Sequence, residues 1–422
     1  MKPCKGIDPL HKCNISLKRT LSMDFSQGVI TTVHDICMEC DELKVRMDEL
    51  SDKYPPGVII PMLYDEIRGN ALPQIIDGLN RCTYLRKVFI ALSAKNSEEY
   101  EKTVEFFQEL EIPHEVLWCN SPEVAQLLLD LKDRGLDITK LSGKGKDLWL
   151  SIGVASLEVY AFAVHDADIL FYSDILPSKL LYPIVEPRLD SFFSKGYYAR
   201  INLESRAMYG RVSRLFVAPL LDALQEKLNH TSEFLRYLRT FRYPLSGEIG
   251  ITSNLALNIR IPCDWGLEMG VLSELFRNVA YKRICQVDLG FYDHKHKAVS
   301  DDTRGGLTKT TEDVLTTLLR SLTEIDGIEV SREFLLSTLV LYRRFAQDRI
   351  RQYHTDAMCN RFDYDRHLEE STVESFADVI MREANTYAYM GNPTATQLPD
   401  WVRARSAMHN LRERLRDATC LH

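Results

Sequence analysis

The chain has no long run of lysine and arginine. Its 52 basic residues are outnumbered by 60 acidic ones, for a formal net charge of −8, so the electrostatic footprint of a nucleic-acid binder is missing. Nor is there an apolar run long enough to span a bilayer, because the most apolar stretch, Leu148 to Val164, is interrupted by Ser151, Ser156 and Glu158. The opening Met1-Lys2-Pro3-Cys4-Lys5-Gly6 leads into mixed polar sequence without signal-peptide character, so a cytoplasmic protein with neither membrane nor nucleic acid as partner is expected. Only Cys37 and Cys40 lie close together among ten cysteines, and no second pair stands at zinc-site spacing, which predicts reduced, mostly buried thiols. Gly (20) and Pro (16) are sparse against 45% hydrophobic residues, so disorder is not expected beyond the ends, and 422 residues suffice for one large α/β core plus an appendage.

What is present is organised around Ala161 to Asp174. An apolar run of strand character drives into Asp166 and Asp168 with no basic residue nearby. On an extended chain two residues two apart point the same way, and at the carboxyl end of a central strand they would face the ligand crevice of an open α/β sheet. Two like-facing carboxylates repel and so ask for a hard divalent cation with a phosphate-bearing partner. An isolated Asp-x-Asp is also a common turn or cap. A further alternative takes His165-Asp166 as the His-Asp pair of a metal phosphohydrolase. Apart from His165 itself no histidine lies between His114 and His230, and the flanking Phe162, Val164, Ile169 and Phe171 favour a strand over the helix such pairs use.

Upstream, Val33, Ile36, Cys40, Leu43, Met47 and Leu50 form a stripe at alternating steps of three and four, which predicts one helix from Val33 to Leu50 in an N-terminal segment, 1–56. Tyr54-Pro55-Pro56-Gly57 breaks it and opens a main domain, 57–304. There, strands at Gly57–Leu63, Lys87–Ser93 and Glu115–Cys119 alternate with helices, the last capped by Ser121 with Pro122 at its start. That alternation specifies a parallel, Rossmann-like sheet. Gly143 and Gly145 flank Lys144 and would let the backbone approach a ligand while the ammonium reaches a phosphate or sugar oxygen, although a solvated turn fits as well. Gly210, Arg211 and Ser213 open an apolar helical run and could bind an anion. Glu248 follows a flexible Ser246-Gly247 and reads equally as a surface turn. Gln286 to His296 reads as a strand ending in a loop rich in imidazole and ammonium. From 305 to 422 the pattern is wholly helical. It includes a capping box at Ser371 and Glu374 and a charged outer face from Arg403 to Arg416, with no polar constellation that calls for chemistry.

Taken in order, Ile60-Pro61-Met62-Leu63, Gly143-Lys144-Gly145, Asp166-Ala167-Asp168, Gly210-Arg211-Val212-Ser213 and Asp293-His294-Lys295-His296 resemble the glucosyl-3-phosphoglycerate synthases, retaining GT-A glycosyltransferases related to the mannosyl enzymes. The likeness runs from about Val58 to about Lys297. It implies a GT-A domain with a helical C-terminal appendage, and glucosyl transfer from UDP- or GDP-glucose to the 2-hydroxyl of 3-phosphoglycerate with Mg²⁺ or Mn²⁺ in a homodimer. Mannosyl transfer from GDP-mannose and a non-catalytic sugar-nucleotide sensor are the alternatives. By the same resemblance Pro61, Met62, Leu63, Asp65 and Ser93 hold the nucleoside, Lys144 and Asp166 the donor phosphate, ribose or sugar, and Asp168 with His294 the metal. Gly210, Arg211, Ser213 and His296 hold the acceptor. Ser213 replaces a threonine and keeps its hydroxyl; Tyr292 and His296 stand where mycobacterial members have arginine and asparagine. Asp168, Glu248 and Arg211 are the expected catalytic set, with Glu248 expected to bind sugar hydroxyls or acceptor instead of forming a covalent adduct.

Overall fold

A computed structural model describes residues 26–36, 38, 40–202, 205–292, 301–390 and 397–420. In chain order the strands are β1 Thr31–Val33, β2 Pro56–Leu63, β3 Lys87–Ser93, β4 His114–Trp118, β5 Ala161–Val164, β6 Phe193–Asn202, β7 Ala207–Met208, β8 Ile249–Thr252, β9 Ile261–Pro262, β10 Ile284–Tyr292 and β11 Gln397–Leu398. The main sheet runs β1-β10-β6-β8-β5-β2-β3-β4, with β7 alongside β6. Along that order neighbours are parallel except around β8, which is antiparallel to both β5 and β6; β7 is antiparallel to β6 as well. Its reversal brings the turn before Ile249, which carries Glu248, to the end of the sheet where Asp166 leaves β5.

Alternation along the central strands divides the core. Val58 and Ile60 of β2, Val88 and Ile90 of β3 and Ala161 and Ala163 of β5 face one cluster with Leu72, Ile75 and Leu180. Ile59, Phe89 and Phe162 face the other, together with Trp149 and Phe216. Strands buried on both faces are what a parallel sheet covered by helices requires. Ser121 accepts from Val124 N with Pro122 in the first turn, as its sequence predicts.

The second cluster continues without a break into the C-terminal helices through Leu318, Tyr342, Phe376 and Trp401. Trp401 stacks on Trp149 at 4.1 Å between centroids, and each indole N–H donates to the other's neighbourhood, Trp149 to Pro399 O at 2.7 Å and Trp401 to Trp149 O at 3.1 Å. An indole is buried cheaply only when its N–H is satisfied, so this pair fixes the end of the chain onto the sheet half of the molecule.

Three predicted details change. The expected helix from Val33 to Leu50 begins only at Cys40, because Thr31–Val33 pairs in parallel with Cys285–Val287 and extends the sheet. Ser371 lies inside a helix running Arg366–Met390 instead of capping one; its hydroxyl donates to Leu368 O at 3.0 Å, and Glu374 pairs with Arg343. The Arg403–Arg416 stretch is not only an outer face: Ala404, Leu411 and Leu415 are buried, and Arg414 pairs with Asp130 at 2.7 Å.

Candidate active site

The pairing of β5 ends at Val164, so Asp166 and Asp168 stand in the turn beyond the strand and not on it, as alternation alone had suggested. The turn nonetheless presents both to one cavity of about 390 Å³, lined also by Lys144, Arg200, Arg211 and Glu268. Lys144 is the first residue of the helix Lys144–Ala155 and its ammonium pairs with Asp166. Burial works against that charge, but Asp166, Glu268 and Glu248 together hold the ammonium protonated well above its ordinary range. Asp168 makes no ion pair among the described residues. Burial first, then the Asp166, Glu248 and Glu66 carboxylates, push it up to about 7. A crowded carboxyl beside an ionised one is a donor set that a hard divalent cation would relieve.

His165 is fully buried, with Nδ1 2.7 Å from Tyr172 Oη, and burial depresses it to about 3. It faces the core and not the cavity, which removes the phosphohydrolase reading. Gly143 and Gly145 also have a different purpose from the one expected. A Cβ on either would run into the Pro262–Cys263 backbone, so they let two chain segments cross and leave Lys144 to do the reaching.

Glu248 is buried, not a surface turn. It accepts from Tyr198 Oη at 2.8 Å and Ser246 Oγ at 3.1 Å. Lys195, also buried, donates to Ser246 O at 2.7 Å; burial lowers it to about 8 against the pull of Glu268 and Glu248. A Cβ on Gly247 would lie 2.9 Å from Asp166 Oδ2, so a side chain there would have to displace the Asp166 carboxylate.

Across the cavity Gly210, at φ +74°, leads into π-helical turns over Val212–Val217, a rare geometry that recurs at functional sites. Arg211 Nε donates to Glu369 Oε1 at 3.0 Å, and Arg214 grips the same carboxylate at 2.8 Å. Arg200 donates to Tyr243 Oη at 3.2 Å. Glu369 belongs to the helix Arg366–Met390, and Leu307 and Thr310 of the helix Asp301–Asp326 line the cavity too, so the helical tail does supply parts of the site.

The nucleoside candidates gather on the adjoining edge. Leu63 and Ser93 are register partners at the ends of β2 and β3, with Pro61 and Met62 buried behind them. Asp65 is exposed and pairs with Arg68, and Ser93 donates to Asp147 Oδ2 at 2.7 Å. None of these five lines the 390 Å³ cavity. His294 and His296 lie outside the described residues, and among the described residues no group of three His, Cys, Asp or Glu could hold a metal. Lys195, Tyr198, Arg200, Glu268 and Glu369 went unassigned from sequence. Tyr198 and Arg200, two apart on β6, shared a face and could have been found by alternation; Glu369 carried no local signal.

No protein-family model matches the sequence. The glucosyl-3-phosphoglycerate synthase of Methanococcoides burtonii is 50% identical over 396 residues, covering 94% of this chain and 97% of that protein. The chain belongs to the glucosyl-3-phosphoglycerate synthases. As a member of that family it is a glycosyltransferase, and the Persephonella marina synthase is 37% identical over 93% of this chain and 96% of its own length. Among solved structures, the Mycobacterium tuberculosis synthase in complex with Mn²⁺, UDP and glucosyl-3-phosphoglycerate aligns with TM-score 0.51 at 20% identity, covering 72% of this chain and 89% of that one. The Rubrobacter xylanophilus mannosyl-3-phosphoglycerate synthase aligns at 0.53 and 18%, over 71% and 83%. At these identities the structural likeness shows the fold, a mostly parallel sheet sheathed by helices. No described helix is long and apolar enough to cross a membrane.

Proposed function

We propose that this synthase transfers glucose from UDP-glucose or GDP-glucose to the 2-hydroxyl of 3-phosphoglycerate, with Mg²⁺ or Mn²⁺. The observation that carries the reading is the single cavity lined by the Asp166–Asp168 pair and by Arg200, Arg211 and Ser213. A cation-seeking carboxylate pair and an anion-seeking wall face the same space, as transfer between two phosphate-bearing substrates requires.

Asp168, with His294 as its partner, would hold the metal, which supplies positive charge where a departing nucleoside diphosphate builds negative charge. Lys144 adds a second cation there, fixed by Asp166. The ends of β2 and β3, with Pro61, Met62, Leu63, Asp65 and Ser93, receive the nucleoside. Arg211, Gly210, Ser213 and His296 orient the acid so that its 2-hydroxyl meets the sugar carbon. Buried and already bonded by Tyr198 and Ser246, Glu248 is suited to hold sugar hydroxyls through fixed geometry and not to swing in as a nucleophile.

The test is a matrix of UDP-glucose, GDP-glucose and GDP-mannose against 3-phosphoglycerate, with Mg²⁺, Mn²⁺ or chelator, read by mass spectrometry. The expected product is glucosyl-3-phosphoglycerate formed only with metal. If neither glucose donor releases its nucleoside diphosphate, the reading is overturned.

A further inference from the structure

Between the end of β5 and the helix Ile175–Val185 the chain goes on alternating although the strand has stopped. His165, Ala167, Ile169 and Tyr172 are buried, while Asp166 and Asp168 line the cavity. The loop is tied at its start by His165 N, which donates to Ile59 O at 3.1 Å. At its end the Asp174 carboxylate pairs with Lys44, and the Asp174 carbonyl accepts from Cys82 Sγ at 3.4 Å. Ala167 and Ile169 join the core cluster of Leu72 and Ile75. One side-chain bond spans the loop, between His165 Nδ1 and Tyr172 Oη at 2.7 Å. The Tyr172 ring is backed in turn by the helix Ala71–Asn80, where a Cβ on Gly78 would lie 2.6 Å from Tyr172 Cδ1.

Stability alone does not account for a polar pair in this core. His165 Nε2 is buried with no hydrogen-bond partner among the described residues, and an unmet buried nitrogen costs free energy. Leucine and phenylalanine would fill similar volumes without that cost, since replacing both partners of a buried hydrogen bond by apolar groups of like shape is close to neutral or stabilising. Apolar groups cannot fix an angle. A hydrogen bond is directional, and this one joins residues seven apart, so it holds the intervening turn, with both acids on it, to one arrangement.

We infer that His165 and Tyr172 are a positioning pair for the metal site, closing the loop so that Asp168 is already set beside Asp166 when a divalent cation binds. Neither side chain lines the cavity, so both act through the backbone that carries the acids. The inference rests on the proposed function, in which Asp168 holds the metal.

The experiment compares the wild-type full chain with His165→Leu/Tyr172→Phe. Calorimetry measures the affinity for UDP and for GDP, each with Mn²⁺ and with chelator, and whichever nucleotide binds is followed. With Mn²⁺ the double variant should bind about tenfold more weakly, whereas in chelator its affinity should stay within about twofold of wild type. Its melting temperature in metal-free buffer should be no lower than that of wild type, because both polar groups leave together. A pair with a merely structural role would weaken binding with and without metal alike, in step with a lower melting temperature, and that result overturns the assignment. So does affinity with Mn²⁺ within about twofold of wild type. Should the double variant not fold, Tyr172→Phe alone, which removes one oxygen, is measured below its melting temperature; it should show the same metal-dependent loss, and unchanged affinity with Mn²⁺ overturns the assignment. Wild-type protein whose nucleotide binding ignores Mn²⁺ fails the proposed metal site and this assignment with it, whereas a metal-dependent wild type beside an unchanged variant fails the assignment alone.

Discussion

The edge formed by β2, β3 and β5 and the wall formed by Gly210–Ser213, assigned to one site in the proposed function, are held in place differently. At the edge each central strand delivers its own loop. Asp166 and Asp168 come immediately after Val164, and Ser93 ends β3 with its hydroxyl on Asp147; the sheet beneath them is buried on both faces. The wall is secured from far along the chain. Glu369 joins Arg211 and Arg214 across more than 150 residues, Tyr342 Oη donates to Leu215 O at 2.8 Å, and Phe216 packs on Tyr342 and Phe376. On the proposed reading, the Asp166–Asp168 turn and the ends of β2 and β3 are therefore positioned chiefly by the sheet, while the wall assigned to the acceptor is positioned through the docked tail.

Asp168→Ala is the largest perturbation of the edge. Glucosyl transfer should fall by about 10³-fold or more, the loss of about 4 kcal/mol of transition-state stabilisation. Metal-free thermal stability should not fall, because a crowded carboxylate is removed. Activity above about a tenth of wild type would end the edge's claim to the chemistry. Glu369→Gln strikes the wall. Arg214 is buried and would lose its ionic partner, which should cost about 3 kcal/mol in denaturant unfolding. The Michaelis constant for the acceptor should rise about tenfold, with that for the donor changed less than about twofold. An equal rise in both would show that the tail supports edge and wall alike.

The same contrast explains what the sequence could and could not reveal. The first three strands, their helices and the Ser121 cap follow from local periodicity, because each buries residues close to one another in the chain. Asp166 and Asp168 are legible for the same reason: strand, then acid. The order of the sheet on its other side is not, since β1, β10, β6 and β8 pair across long separations, and Val33, the last residue of β1, falls by chance in step with the helical stripe that follows it. Gly143 and Gly145 have their reason in Pro262 and Cys263, far along the chain. Glu369 looks like any acidic residue on an amphipathic helix until the fold sets it against Arg211 and Arg214.

The smallest of these effects concerns the edge's own cost. Asp147, hydrogen-bonded by Ser93, is pushed up to about 6, chiefly by burial, with Ser93 and Lys146 opposing. A folded-state carboxyl that holds its proton more tightly than the unfolded chain contributes stability below pH ~4, and that contribution is lost as pH rises through about 6. Asp147→Asn keeps an acceptor for Ser93 but cannot ionise. Its stability should match wild type near pH 4 and exceed it by about 2 kcal/mol above pH 7, within the ~3 kcal/mol that the raised carboxyl sets as a ceiling. Unfolding curves at the two pH values check the sign. If the gain above pH 7 comes with weaker donor binding and unchanged acceptor binding, the buried charge is a strain that the edge keeps for the nucleotide sugar. If both bindings weaken together, edge and wall are less separable than their construction implies.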